Sequence, residues 1–301
     1  MPITASQVAH RVTDRLPPHS YFVGSAIFHY LGPAFAVLLF AAIDPLGVAW
    51  LRIAAAAVVL ALWRRPWRLV AQRRLTPTAL RLLIIWGAVF ALMNACFYLA
   101  LERLPLGTVA AIEFVPVIVL AAVAVRRLRN AIALVLAIAG VYLLTDVHLY
   151  AEPLGLLFAA ANAVLFAGYI VVGHRIASSG AAAGVDSLAF AMPIAAVVST
   201  PIAIFDAVPA FSSPTLLAAG VGVGVCSSVI PYVFDQLAMA RLTRETYALL
   251  VSILPATATV IGVIVLAQIP TLRELSGVAM VIAAVGIHRD RVAAADPGPD
   301  E

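Results

Sequence analysis

Ten long apolar runs follow one another along the chain, at about 22–43, 45–63, 79–101, 106–125, 130–147, 153–173, 186–205, 214–238, 246–267 and 274–288. About 20 such residues at 1.5 Å rise cross a hydrocarbon core roughly 30 Å thick. A backbone in lipid must satisfy its amides within a helix or a closed barrel, and these Leu/Val/Ala runs lack the alternation of barrel strands. The sequence therefore predicts ten transmembrane helices, the last run being the shortest. Only 11% of the residues are charged, against roughly 25% in soluble proteins.

The runs fall into two sets of five. The twelve residues Leu99 to Ala110 (LALERLPLGTVA) return 138 positions later as Leu237 to Ala248 (LAMARLTRETYA), with Leu, Ala, Arg, Leu, Thr and Ala identical. The repeat lies between runs 3 and 4 and again between runs 8 and 9, and a weaker echo pairs AAVV at 56–59 with AAVV at 195–198. An odd number of spans per copy places the second copy upside down in the bilayer, an arrangement typical of transporters. The expected fold class is an all-α membrane protein with two inverted five-helix repeats, 22–147 and 153–288, flanked by tails at 1–21 and 289–301.

Every basic residue in the Lys+Arg total of 19 is an arginine. With the N-terminal tail inside, Arg11, Arg15, Arg64, Arg65, Arg68, Arg73, Arg74, Arg81, Arg126, Arg127, Arg129, Arg175, Arg241, Arg244, Arg289 and Arg291 fall on one side, Arg103 and Arg273 on the other, and Arg52 within a span. This asymmetry predicts that both termini are cytoplasmic. Blocks of arginine between apolar runs set orientation, so no nucleic-acid partner is expected. Residues 1–21 carry charges and prolines with no apolar core, and read as a cytoplasmic leader rather than a secretion signal.

An ionisable side chain inside a span costs about 2.5–3.5 kcal/mol on insertion scales, so it faces a cavity or a partner. Glu113, three residues before Pro116, fits a substrate-binding and proton-coupling carboxylate; a structural acid bonded to another helix is the alternative. His29 shares a face with Ser25 and Gly32, and reads either as a site residue or as a satisfied core histidine. Arg52 could clamp a substrate carboxylate, but a long side chain two turns from the outer end more readily reaches the interface or pairs with an acid. Asn94 and Tyr98 project together, as do Asn162, Phe166 and Tyr169, and Ser228, Tyr232 and Asp235. Such amide and aromatic stripes suit a small zwitterionic or amphipathic solute; interhelical hydrogen bonding is the plainer reading of each. Asp235, near the cytoplasmic end of its span, is either solvated or part of a gate. The candidate substrate-binding residues are His29, Asn94, Tyr98, Glu113, Asn162, Tyr169 and Tyr232. Pro33, Pro116, Pro193, Pro201, Pro231 and Pro255 lie within spans and are hinge candidates.

The segments NACFYLALERLPLGTVAAIEF (Asn94 to Phe114), GYIVVGHRI (Gly168 to Ile176) and PYVFDQLAMARLTRETYALL (Pro231 to Leu250) resemble the drug/metabolite transporter superfamily, specifically EamA-type members of the bacterial threonine and homoserine exporter group. The resemblance covers nearly all of 22–288 and implies a secondary transporter of the bacterial inner membrane exporting a small amino acid. Where that group carries Glu before the span 9 proline this chain has Leu254, and where it carries Gly-Glu at the end of the span this chain has Ala267 and Gln268. A drug or general-metabolite exporter is the alternative these two absent carboxylates favour. Continuing the repeat register, with one inserted residue, sets Tyr98 against Gln236, Asn94 against Tyr232 and Glu113 against Ser252. This predicts one ionisable centre around Glu113, with neutral walls from the second repeat.

Other classes find little support. A chain without lysine cannot form the GxxxxGK[ST] loop of an ATP-driven pump, and HExxH and GxSxG are absent. Cys96 and Cys226 sit in apolar runs without ligand spacing. No enzymatic activity, cofactor or metal is expected; the partners are a small-molecule substrate and the bilayer, and a homodimer is open to the chain.

Overall fold

The computed structural model describes residues 17–67, 76–110, 112–113, 116, 128–144, 152–177, 181–242, 246–247, 250 and 253–287. Among these the secondary structure is helical: α1 (Pro18–Leu39), α2 (Pro45–Arg64), α3 (Pro77–Leu101), α4 (Leu128–Leu144), α5 (Pro153–Ala177), α6 (Ala181–Ala203), the short α7 (Val208–Phe211), α8 (Pro214–Gly224), a π-helical turn (Val225–Val229), α9 (Ile230–Met239), α10 (Leu254–Leu266) and α11 (Leu272–Ile287). Among the described residues, six helices are long and apolar enough to cross a membrane: His19–Leu39, Pro45–Arg64, Pro77–Leu101, Pro153–Ile176, Ala183–Ala203 and Pro214–Met239. The expected fourth span is described only at 106–110, 112–113 and 116, all helical.

Proline sets where several helices begin. Pro18, Pro45, Pro77 and Pro214 stand at the first position of α1, α2, α3 and α8, where a missing N–H removes no intrahelical bond. The side chains of Thr76 and Ser213 cap α3 and α8 by accepting from the amides of Ala79 and Leu216. Helix α1 therefore starts at Pro18, ahead of the apolar run at 22, because its first turn carries residues such as His19 and Ser20 that hydropathy passes over. Pro255 lies in the first turn of α10, after a turn at Ile253. It begins α10, with Leu250 helical on the far side of that turn. Pro33, Pro193 and Pro201 do lie within helices.

The first half of the repeated segment, 99–104 and 237–242, forms the same turn twice. After α3, Glu102 donates to the Tyr98 carbonyl, Arg103 to Ala100 and Leu104 to Ala100. After α9, Ala240 donates to Gln236, Arg241 to Ala238 and Leu242 to Ala238, each pair displaced by 138 residues. The shared threonines, Thr108 and Thr246, are both buried.

Packing follows a matching scheme. Helix α3 lies against α5 and α6, while α8 and α9 lie against α1 and α2; α2 runs beside α6, and α4 beside α11. Trp86, Tyr30, Tyr98, Tyr169, Tyr232 and Tyr247 are fully buried between these helices. Large apolar side chains such as Val197, Phe205 and Ile264 face outward, as a lipid solvent allows.

Small residues bring α1 and α2 onto the π-helical turn. A Cβ added at Gly32 would lie 2.6 Å from Ser227 Cα, and one at Gly224 2.6 Å from the Ala55 Cβ and 2.9 Å from the Arg52 carbonyl oxygen. Because these contacts meet backbone, no rotamer change relieves them. Gly32→Val is expected to destabilise the protein by about 1–3 kcal/mol, the usual range for overpacking. A lowered thermal midpoint in detergent, with loss of the monodisperse peak on gel filtration, checks this.

Candidate functional site

The site grows from an interruption in α8 and α9. Pro231 has no N–H, so the Ser227 carbonyl four residues earlier loses its α-helical donor. Here the helix widens into the π turn, a geometry often associated with functional sites. Arg52 on α2 supplies the missing partner: Nη2 donates to the Ser227 carbonyl at 2.7 Å, Nε to Ser228 Oγ at 2.9 Å and Nη1 to Tyr98 Oη at 3.3 Å. Its guanidinium also lies 5.3 Å from the centroid of the Tyr98 ring. Arg52 is 3% exposed, so it does not reach the interface, and no ion pair among the described residues includes it; the expectation of a snorkelling or acid-paired side chain is corrected. Among the described residues three of its five N–H groups are engaged, which leaves two.

Glu113 lies on the same cavity. Its Oε1 accepts from Asn162 Nδ2 at 2.9 Å and its Oε2 from Tyr30 Oη at 3.3 Å. The Oδ1 of Asn162 is buried and has no hydrogen-bond partner among the described residues. Both Glu113 and Asn162 are buried, so a carboxylate and an amide oxygen offer acceptor sites with water excluded. The described ion pairs are Arg64 with Asp186 and Arg103 with Glu102; none joins Glu113 to Arg52.

The cavity is lined by His29, Pro33, Arg52, Met93, Asn94, Phe97, Glu113, Asn162 and Tyr232. The Asn94 amide donates to the Phe90 carbonyl at 2.8 Å, which fixes its orientation. The His29 ring contacts those of Tyr30, Phe166 and Tyr232 edge-on. Five of the seven candidate residues, His29, Asn94, Glu113, Asn162 and Tyr232, thus meet on one cavity. Tyr98 stands behind Arg52 instead. Tyr169 belongs to a neighbouring layer, donating to Asp235 Oδ2 at 3.4 Å. Ser25 donates to the other oxygen of Asp235, and Tyr247 also hydrogen-bonds this carboxylate.

Asp235 is 2% exposed, which removes the solvated reading. The ionisable groups on the cavity, His29, Arg52 and Glu113, come from the first half of the chain, and the second half lines it with the neutral Asn162 and Tyr232; Asp235, also from the second half, lies in the adjoining layer. Ser252, matched with Glu113 in the repeat register, lies outside the described residues. Sequence reasoning left Tyr30 and Pro33 out of the site; no pattern marks Tyr30, whereas Pro231 could have drawn attention to the Ser227 carbonyl and hence to Arg52.

A bundle of apolar membrane-length helices around a buried, charged cavity defines a multi-pass membrane transporter. A family model, the EamA-like transporter family, matches residues 153–288. The threonine/homoserine exporter RhtA of Salmonella typhimurium strain SL1344 is 31% identical over 257 residues, covering 84% of each chain. The protein of the same name from Escherichia coli K12 is 31% identical over 258 residues, again with 84% of each covered. A solved crystal structure that is 17% identical superposes with a TM-score of 0.66 over 89% of this chain and 96% of the other, which shows the fold. The chain belongs to the EamA-like transporter family, within the drug/metabolite transporter superfamily.

Proposed function

We propose that this protein exports small zwitterionic amino acids, threonine or homoserine first among them, from the bacterial cytoplasm. The observation that carries this reading is the pairing on one cavity of a buried acceptor group, Glu113 with the unpartnered Asn162 Oδ1, and a guanidinium, Arg52, with N–H groups to spare. An α-ammonium fits the first and an α-carboxylate the second. The RhtA relatives, named as threonine/homoserine exporters, support that substrate class.

Glu113 serves as the coupling group because a proton and a substrate ammonium compete for the same carboxylate. Exchange of one for the other ties outward movement of substrate to inward movement of a proton. Alternating access arises from two inverted five-helix repeats, 22–147 and 153–288, rocking about this cavity. The twice-formed turn and the matched packing of α3 on α5 and of α8 and α9 on α1 support that division. Arginine placement supports cytoplasmic termini, with the tails 1–21 and 289–301 inside.

Bacteria overexpressing the protein are expected to tolerate raised external threonine or homoserine and to accumulate the amino acid in the medium. Growth and extracellular amino-acid assays across a panel check this. Tolerance unchanged for every amino acid would overturn the substrate assignment.

A further inference from the structure

Below the cavity, toward the start of α1 and the ends of α5 and α9, lies a second polar cluster that the substrate site does not use. Asp235 is three residues past Tyr232, Ser25 four before His29, Tyr169 seven past Asn162 and Trp86 eight before Asn94. At 1.5 Å per residue these steps place the cluster about 5–12 Å from the cavity, all in one direction. The Tyr232 ring stands between the two, in edge contact with His29 on the cavity side and with Phe90 and Tyr169 on the other.

Three features make this cluster more than packing. The partners of the Asp235 carboxylate are hydroxyls, from Ser25, Tyr169 and Tyr247, and no described ion pair includes it. Gln236 and Trp86 are both fully buried, and Gln236 Oε1 and Trp86 Nε1 have no hydrogen-bond partner among the described residues. They also lie close together: a Cβ added at Gly173 would be 3.4 Å from both the Gln236 amide nitrogen and the Trp86 ring. Burying such groups unpartnered is costly; the vacant Gln236 acceptor beside an uncompensated carboxylate fits an ammonium donor, and the vacant Trp86 N–H fits an acceptor elsewhere on the same solute. The Trp86 and Tyr169 rings stack at 5.9 Å, adding aromatic faces that attract a cation.

We propose that Asp235, Gln236 and Trp86 form a second station on the translocation path, which receives the ammonium group of the solute before it reaches the Glu113 cavity. The station rests on the export reading for its substrate. In the state described here it is closed: Ser25 from α1, Tyr169 from α5 and Tyr247 occupy the carboxylate, and together they hold α1, α5 and α9 shut on this side. Entry of an ammonium group exchanges these hydroxyl donors for the ligand and releases the three elements.

The test uses the full-length protein in oriented membrane vesicles, with Cys96 and Cys226 replaced by alanine and Gln236→Cys as reporter. Membrane-impermeant methanethiosulfonates bearing a trimethylammonium or a sulfonate group are applied from the side of the chain termini. The cationic reagent is expected to react at least tenfold faster than the anionic one, and Asp235→Asn in the same background should remove that preference. Equal rates for the two reagents, or no reaction with either, would overturn the station. In parallel, Asp235→Asn with native Gln236 is expected to raise the KM for threonine from the terminal side at least tenfold while leaving the KM from the opposite side unchanged; an equal rise on both sides marks a merely structural residue. Because the thiol reaction needs no transported amino acid, charge selectivity without amino-acid transport would contradict the substrate assignment and leave the station standing.

Discussion

Glu113→Gln is expected to reduce amino-acid transport to background while the protein still folds and reaches the membrane. The replacement keeps the side chain's size, and its amide oxygen can still accept from Asn162 or Tyr30. What it removes is the charge that faces the substrate ammonium and carries the exchanged proton. Hydrogen bonds to charged groups contribute about 1.5–3 kcal/mol, which corresponds to roughly 10- to 150-fold in affinity. Loss of coupling adds a kinetic defect, so the transport deficit exceeds the binding deficit. Counterflow of labelled threonine measures the first and substrate protection against thermal unfolding the second. Full transport by the variant would remove Glu113 from the mechanism.

The second large effect falls on Arg52. Lysine at this position keeps the positive charge but cannot hold three acceptors on one planar fork. Arg52→Lys is therefore expected to lower transport more than tenfold and to lower the thermal midpoint by several degrees. The stability loss has a specific origin: the Ser227 carbonyl, deprived of its helical donor by Pro231, depends on Arg52 Nη2, and a buried unpaired acceptor costs about 1–3 kcal/mol. Adding Pro231→Ala to Arg52→Lys supplies an amide N–H to that carbonyl. The double variant should regain stability without regaining transport, a split measured by thermal unfolding beside counterflow. Recovery of both would assign Arg52 a purely structural role.

Much of this arrangement was legible in the chain because the bilayer imposes strict local rules. Apolar run length identified the long helices, and the repeated twelve residues marked two turns that prove identical bond for bond. Helical spacing placed Asn94, Asn162 and Tyr232 on faces that converge, and an acid within a span marked Glu113. The residues misread were those whose roles depend on a partner distant in sequence. Arg52 looks free to snorkel until Ser227, Ser228 and Tyr98 are seen to surround it, and these lie 46 to 176 residues away. Tyr98 and Tyr169 share stripes with cavity residues, yet one braces Arg52 and the other holds Asp235. A displacement of one or two turns along a helix separates lining a cavity from supporting it, and periodicity alone does not resolve that difference.

The central claim, a zwitterion held between Glu113 and Arg52, is tested most directly by counterflow in proteoliposomes of the purified protein. Labelled threonine is exchanged against unlabelled threonine, N-acetylthreonine and threoninamide, each driven from inside at the same concentration. The account predicts that threonine drives accumulation of label, and that removing either the ammonium or the carboxylate charge abolishes it. Accumulation driven equally well by the two capped compounds would contradict it.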